Sequence, residues 1–110
     1  MQSFELKALL GQHQAAGANW SEFLRVPALS FGVYTLPAGG VDPQSPHGED
    51  EVYLVLSGQA AIQVGDEDQS VQPGSLIYVP ARVDHRFHSI AEDLTVLVFF
   101  APAEGTAGEG

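Results

Sequence analysis

Apolar and polar positions alternate along most of this chain in short runs, and Gly, Pro and acidic clusters break the runs every few residues. That period-two pattern, with close and regular punctuation, is the signature of strands rather than helices. Residues 29–36 form the clearest run, rich in β-branched and aromatic side chains, and Pro37-Ala38-Gly39-Gly40 ends it. Residues 20–26 alternate more weakly. Residues 52–56 and 60–64 flank Ser57-Gly58-Gln59, which reads as a hairpin turn, and Gly65 to Asp68 and Gln72-Pro73-Gly74 read as two further turns. Strands are then expected at 76–79, 86–90 and 94–100. Only residues 4–14, apolar at 4, 6, 9 and 10, depart from this period and suit a short helix or an irregular arm.

Short strands joined by tight turns predict an all-β, antiparallel sandwich or barrel. The expected division is an N-terminal arm and first strand over 1–28, a β-barrel over 29–101 and a disordered tail over 102–110, which holds little but Gly, Ala and Glu. The run at 52–56 is apolar on both faces. If Glu51 points inward, Tyr53 and Val55 follow it, and Val52, Leu54 and Leu56 need cover from outside. Residues 96–100 pose the same problem, so a homodimer is expected.

Length and charge narrow the functional classes. The chain has 110 residues, enough for one core. Fourteen Asp and Glu against four Lys and Arg give a net charge of −10, which repels phosphate backbones and anionic membranes; neither nucleic acid nor a membrane is expected as a partner. Cysteine is absent, so there are no disulfides, thiolate ligands or thiol nucleophiles. With no apolar run near 18 residues and no basic-then-apolar start, the expected location is cytoplasmic.

Candidate chemistry concentrates in His47-Gly48-Glu49-Asp50-Glu51, at the entrance of the apolar run. On a straight strand His47 and Glu51 would share a face but stand roughly 13 Å apart, too far for one ion. Pro46 and Gly48 allow the chain to curl and bring them together. An imidazole beside a carboxylate suits a divalent transition metal: iron, nickel, manganese, copper or zinc. Glu49 and Asp50 read as a solvated loop, and His13 as a surface residue. Glu51, by contrast, enters a strand where an unpaired carboxylate would be costly, so it needs a metal or an arginine such as Arg82 or Arg86.

A second stretch runs from Gly74 through Pro80 and Arg82 to His85 and Ser89. Together with Gly39, Ser45, His47, Glu51 and Gly58 it resembles, at matching spacings, the paired motifs of the cupin superfamily: Gly, five residues, His-x-His, three or four residues, Glu, six residues, Gly; then Gly, five residues, Pro-x-Gly, two residues, His, three residues, Asn. The resemblance implies a small double-stranded β-helix, or jelly roll, with His47, Glu51 and His85 as metal ligands. Three positions depart from it. Ser45 stands where the first histidine is expected, Arg82 replaces a glycine, and Ser89 replaces the asparagine.

Gln44 beside Ser45 is a candidate fourth ligand, with water as the alternative. Two histidines and one carboxylate would match the facial triad of non-haem iron(II) sites. Arg82 is placed near the mouth, holding an anionic substrate or pairing with Asp84. Tyr53, Tyr78 and Phe87 are pocket candidates by parity, with core packing as the plainer role for each; His88, on the opposite face from His85, is not a ligand. The expected partner is a small-molecule ligand. The leading functional expectation is a metal-dependent, dioxygenase-like enzyme. The alternatives are a redox-free isomerase, epimerase or lyase, and a non-catalytic binding or sensing protein. Keeping the glutamate argues against thiol-dioxygenase chemistry. Because histidine ligates only when neutral, metal binding should weaken below about pH 6.

Overall fold

The computed structural model describes residues 1–43 and 46–106. One helix, α1 (Leu6–Ala16), precedes six strands: β1 (Trp20–Val26), β2 (Leu29–Leu36), β3 (Asp50–Val64), β4 (Glu67–Val71), β5 (Leu76–Val79) and β6 (His85–Ala101). All pairings are antiparallel. The all-β expectation and the short N-terminal helix are both seen.

Two long strands organise the molecule. The first half of β3 lies between β5 and the second half of β6, which in turn pairs with β2 and through it with β1. The second half of β3 lies between β4 and the first half of β6. Both β3 and β6 therefore pass from one layer into the other, the jelly-roll arrangement. The ladders do not close into a ring: in the order β1-β2-β6-β3-β4, β1 and β4 are edges.

This continuity corrects the turn expected at Ser57-Gly58-Gln59. The chain does not reverse there. Gly58 adopts φ +96°, and the β3–β6 register shifts on either side of it, so the strand bends through an irregular, bulge-like stretch. A Cβ at Gly58 would lie 2.3 Å from the Asp93 carbonyl oxygen, which explains why glycine stands at this bend. Residues 86–90 and 94–100, expected as separate strands, are likewise one strand. The reversal comes instead at Gly65-Asp66, leading into β4. That strand was not expected, because its sequence, Glu-Asp-Gln-Ser-Val, is polar and exposed until Val71, as befits an edge.

The core lies between the layers. Tyr53, Val55, Ile62, Phe87, Leu94, Val96 and Val98 are buried there, with Tyr53 and Phe87 packed edge to face at 4.8 Å. Opposite parity places Val52, Leu54, Leu97 and Phe99 on the outer face, each only half-buried. Helix α1 packs against β1 and β2, and Phe4 meets Phe31 at 5.1 Å.

His13 is buried rather than surface-exposed. Its ring nitrogens meet Ser21 Oγ at 2.5 Å and Thr35 Oγ1 at 3.0 Å, so the helix is fastened to the sheet through polar as well as apolar contacts. Residues 102–106, assigned from sequence to a disordered tail, fold back instead: Ala103 is fully buried and the Glu104 N–H donates to Ser30 Oγ at 2.9 Å. Residues 107–110 lie outside the described residues.

Candidate metal centre

Pro46, His47, Gly48 and Glu49 form an irregular approach to β3, which begins at Asp50. The curl inferred from Pro46 and Gly48 brings His47 back over the strand. The Arg82 N–H donates to the His47 carbonyl at 2.6 Å and ties this approach to the β5–β6 loop. Arg82 has φ +67°, a backbone state that glycine enters more easily, which gives a physical reason for the glycine of the resembled motif.

His47, Glu51 and His85 offer ligand atoms that all lie within 4.8 Å of one another. Two ligands about 2.1 Å from a shared ion are at most about 4.2 Å apart, so small side-chain rotations would suffice to close the cluster. Glu51 and His85 are buried, and His47 is partly exposed at the mouth. The His85 Nδ1–H donates to the Val83 carbonyl at 2.9 Å; a carbonyl can only accept, so in the neutral ring Nε2 carries the lone pair. That nitrogen lies 3.1 Å from Glu51 Oε1.

The angles at that contact are not those of a hydrogen bond. Both Glu51 oxygens and His85 Nε2 are buried without a hydrogen-bond partner among the described residues. A lone pair facing a carboxylate in the protein interior is unfavourable. Either a proton or a cation between them removes the conflict. Burial works against protonating His85, but proximity to Glu51 and the bond to Val83 outweigh it and raise its pKa above the ordinary value.

Around this cluster the remaining candidates separate. Tyr53 and Phe87 are buried beneath it, Tyr53 with its ring centre 6.2 Å from that of His85, and both act as core. Tyr78 does not line the pocket. It is 58% exposed, on the outer face of β5, where its hydroxyl donates to Asp50 Oδ1 at 3.2 Å. Ile77 and Val79 point inward instead, so the parity assigned to this strand was off by one residue. Arg82 is exposed and lines the mouth with His47, Glu49 and Glu104; among the described residues it forms no ion pair with Asp84. Glu49, expected in a solvated loop, is buried, whereas Asp50 is exposed. His88 pairs with Asp68 at 2.8 Å, away from the cluster. Gln44 and Ser45 lie outside the described residues.

Sequence reasoning missed three groups. Asp42 is buried and accepts from the Tyr34 hydroxyl at 2.8 Å and the Phe87 N–H at 2.9 Å. Burial, followed by that bond to Asp42, raises the Tyr34 pKa. Trp20 and Tyr34, cross-strand partners, form with Val98 and Phe100 the wall of a cavity of about 260 Å³ that opens on His47 and Glu51. Glu104, from the segment after β6, stands at its rim. The weak alternation of 20–26 was the one available sign that Trp20 sits on a strand face; nothing in the local sequence marked Asp42 or Glu104.

Residues 32–100 match the family model described as a cupin domain. The chain belongs to the cupin family. An uncharacterized protein of Streptomyces coelicolor is 50% identical over 104 residues, covering 94% of this chain and 99% of that protein. The crystal structure of TT1209 from Thermus thermophilus superposes with a TM-score of 0.70 at 25% identity, covering 94% of this chain and 99% of that one. The DMSP lyase DddQ from Ruegeria pomeroyi also has a TM-score of 0.70, at 19% identity, over 92% of this chain and 66% of its own, a likeness of fold. Cupins commonly bind metals, and this chain carries a His47–Glu51–His85 cluster whose ligand atoms are close enough to hold one.

Proposed function

We propose that this cupin is a metal-dependent enzyme acting on a small molecule, with His47 and His85 through ring nitrogens and Glu51 through its carboxylate as the ligands of one divalent transition metal. One observation carries this reading: the Glu51 oxygens and His85 Nε2 are buried, face one another and lack hydrogen-bond partners. A divalent cation resolves all three at once.

When bound, the metal would supply Lewis acidity and open positions for oxygen or substrate. The protein does the rest. The Val83 carbonyl fixes the His85 tautomer, Tyr53 and Phe87 support the cluster from below, and Trp20, Tyr34, Val98 and Phe100 give the space beside it a largely apolar wall. Two imidazoles and one carboxylate favour a dioxygenase-like, iron-dependent reaction.

Metal analysis of protein purified without added metal or a metal-binding tag tests this. Iron near one equivalent supports the oxygen-dependent reaction. Zinc would replace it with redox-free isomerase, epimerase or lyase chemistry, and protein that takes up no metal would leave a ligand-binding role. His85→Ala should abolish stoichiometric metal binding and leave a folded protein; unchanged metal content would place the site elsewhere.

A further inference from the structure

The segment after β6 is fastened across the site. The Ala103 N–H donates to the Pro27 carbonyl at 3.3 Å, the Glu104 N–H to Ser30 Oγ at 2.9 Å, and the Thr106 N–H closes a turn on the Ala103 carbonyl at 3.0 Å. Ser30 and Ala103 are both fully buried, so these are internal anchors. They fix Glu104 where it lines two spaces: the inner cavity of about 260 Å³ and an outer vestibule of about 510 Å³ that also contains Arg82.

The inner cavity has a distinct chemistry. Its wall is aromatic and aliphatic: Trp20 stands edge-on to Phe100 at 6.0 Å, Tyr34 lies beside them, and Val98 completes it. Among the described residues, its imidazole and carboxyl groups are those of His47, Glu51 and Glu104, of which Glu104 lies outside the His47–Glu51–His85 cluster. Of the arginines nearby, Arg25 is held by both Glu22 oxygens, at 2.8 and 3.1 Å, and Arg82 lines only the outer vestibule. Aromatic faces beside a carboxylate recognise ammonium groups, through cation–π attraction and a charge-assisted hydrogen bond. At about 260 Å³ the space falls just below the usual range for ligand pockets of roughly 300–1,000 Å³, which suits a single ring or a short branched chain.

We propose that the inner cavity selects a compact amine, its apolar body held by Trp20, Tyr34 and Phe100 and its cationic nitrogen paired with Glu104. The proposal names the substrate class of the metal site and so rests on that reading of His47, Glu51 and His85. Glu104 acts here as a specificity-determining residue.

Trp20 is the chain's single tryptophan, so its fluorescence reports on this cavity without any assay of turnover. The probes are benzylamine, benzyl alcohol and benzoate, titrated at pH 8 into zinc-loaded and metal-free protein. Benzylamine should bind at least tenfold more tightly than benzoate. Glu104→Gln should weaken benzylamine tenfold or more while shifting benzyl alcohol less than twofold, and Glu104→Asp should retain part of the preference. Metal content should be the same in all three proteins. Equal losses for amine and alcohol, no loss for the amine, or tighter binding of benzoate would each overturn the proposal. Failure of the metal reading would appear separately, as wild-type protein that takes up no metal. The amine preference in the metal-free titration would still decide the role of Glu104.

Discussion

His85 makes two different commitments through one ring. Nδ1 is fixed as a donor by Val83, and Nε2 is left facing Glu51, so metal and proton compete for the same atom. Its raised pKa gives the sign. In metal-free protein the protonated pair is stabilising at pH values below the ordinary histidine value of about 6.5, and that contribution is lost as pH rises through the higher folded value. Metal binding runs the other way, since the proton must leave first. As pH is lowered, metal affinity should therefore begin to fall while the pH is still above 6.5, earlier than the value near 6 expected from sequence; a midpoint at or below 6 would show that Glu51 does not act on His85. Asp42 gives a second test at this scale. Removing its carboxylate in Asp42→Ala leaves the Phe87 N–H and the Tyr34 hydroxyl without their acceptor, which should cost about 2–4 kcal/mol in denaturant unfolding. A loss under about 0.5 kcal/mol would mean that water replaces the carboxylate. The clustered residues His47, Glu51 and His85 were legible because their spacing is a chain property. Asp42 was not, because its partners lie on β2 and β6 and only the fold assembles them.

At the scale of elements, the alternation located most strands but misread where they end. Gly58 looks like a turn residue and serves as a bend, because β6 continues alongside β3 through it. Its positive φ and the 2.3 Å approach of the Asp93 carbonyl to the position of a Cβ make Gly58→Ala a sharp test. The alanine would bring both left-handed backbone strain and a clash with backbone, so a loss of at least about 2 kcal/mol is expected, by either thermal or denaturant unfolding. A change within about 0.5 kcal/mol would mean that the two strands can separate there at little cost. Tyr78 shows the other limit of the pattern. Four residues of Leu-Ile-Tyr-Val are apolar at every position, so periodicity alone cannot choose the inward face of β5; pairing with Tyr53 and Glu51 chooses Ile77 and Val79. The C-terminal segment was illegible for a related reason. Small residues carry little apolar signal, and the segment is held by bonds to distant residues, from the Ala103 N–H to the Pro27 carbonyl and from the Glu104 N–H to Ser30 Oγ.

For the whole molecule, the two-sided apolar strands leave a surface to be accounted for. The N-terminal helix and Phe4 cover the outer face over β1 and β2. The outer face over β6, β3 and β5 carries Phe99, Val52 and Tyr78 in one row and Leu97, Leu54 and Leu76 in the next. Leu76 is 71% exposed and Tyr78 58%. Clustered apolar side chains of this kind usually mark an interface, and a standard one buries roughly 800 Å² per partner. The homodimer expected from sequence is proposed to form here, through the same face of two copies related by a two-fold axis. Light scattering should give about twice the chain mass of 11.7 kDa. Leu76→Lys adds a charge at the exposed edge of that face, and two copies would bring the charges together, so the variant should dissociate at micromolar concentration. Because Leu76 points away from His47, Glu51 and His85, the dissociated protein should keep its full metal content. A wild-type monomer at micromolar concentration, or a Leu76→Lys protein that remains dimeric, would show that this face is not where two chains meet.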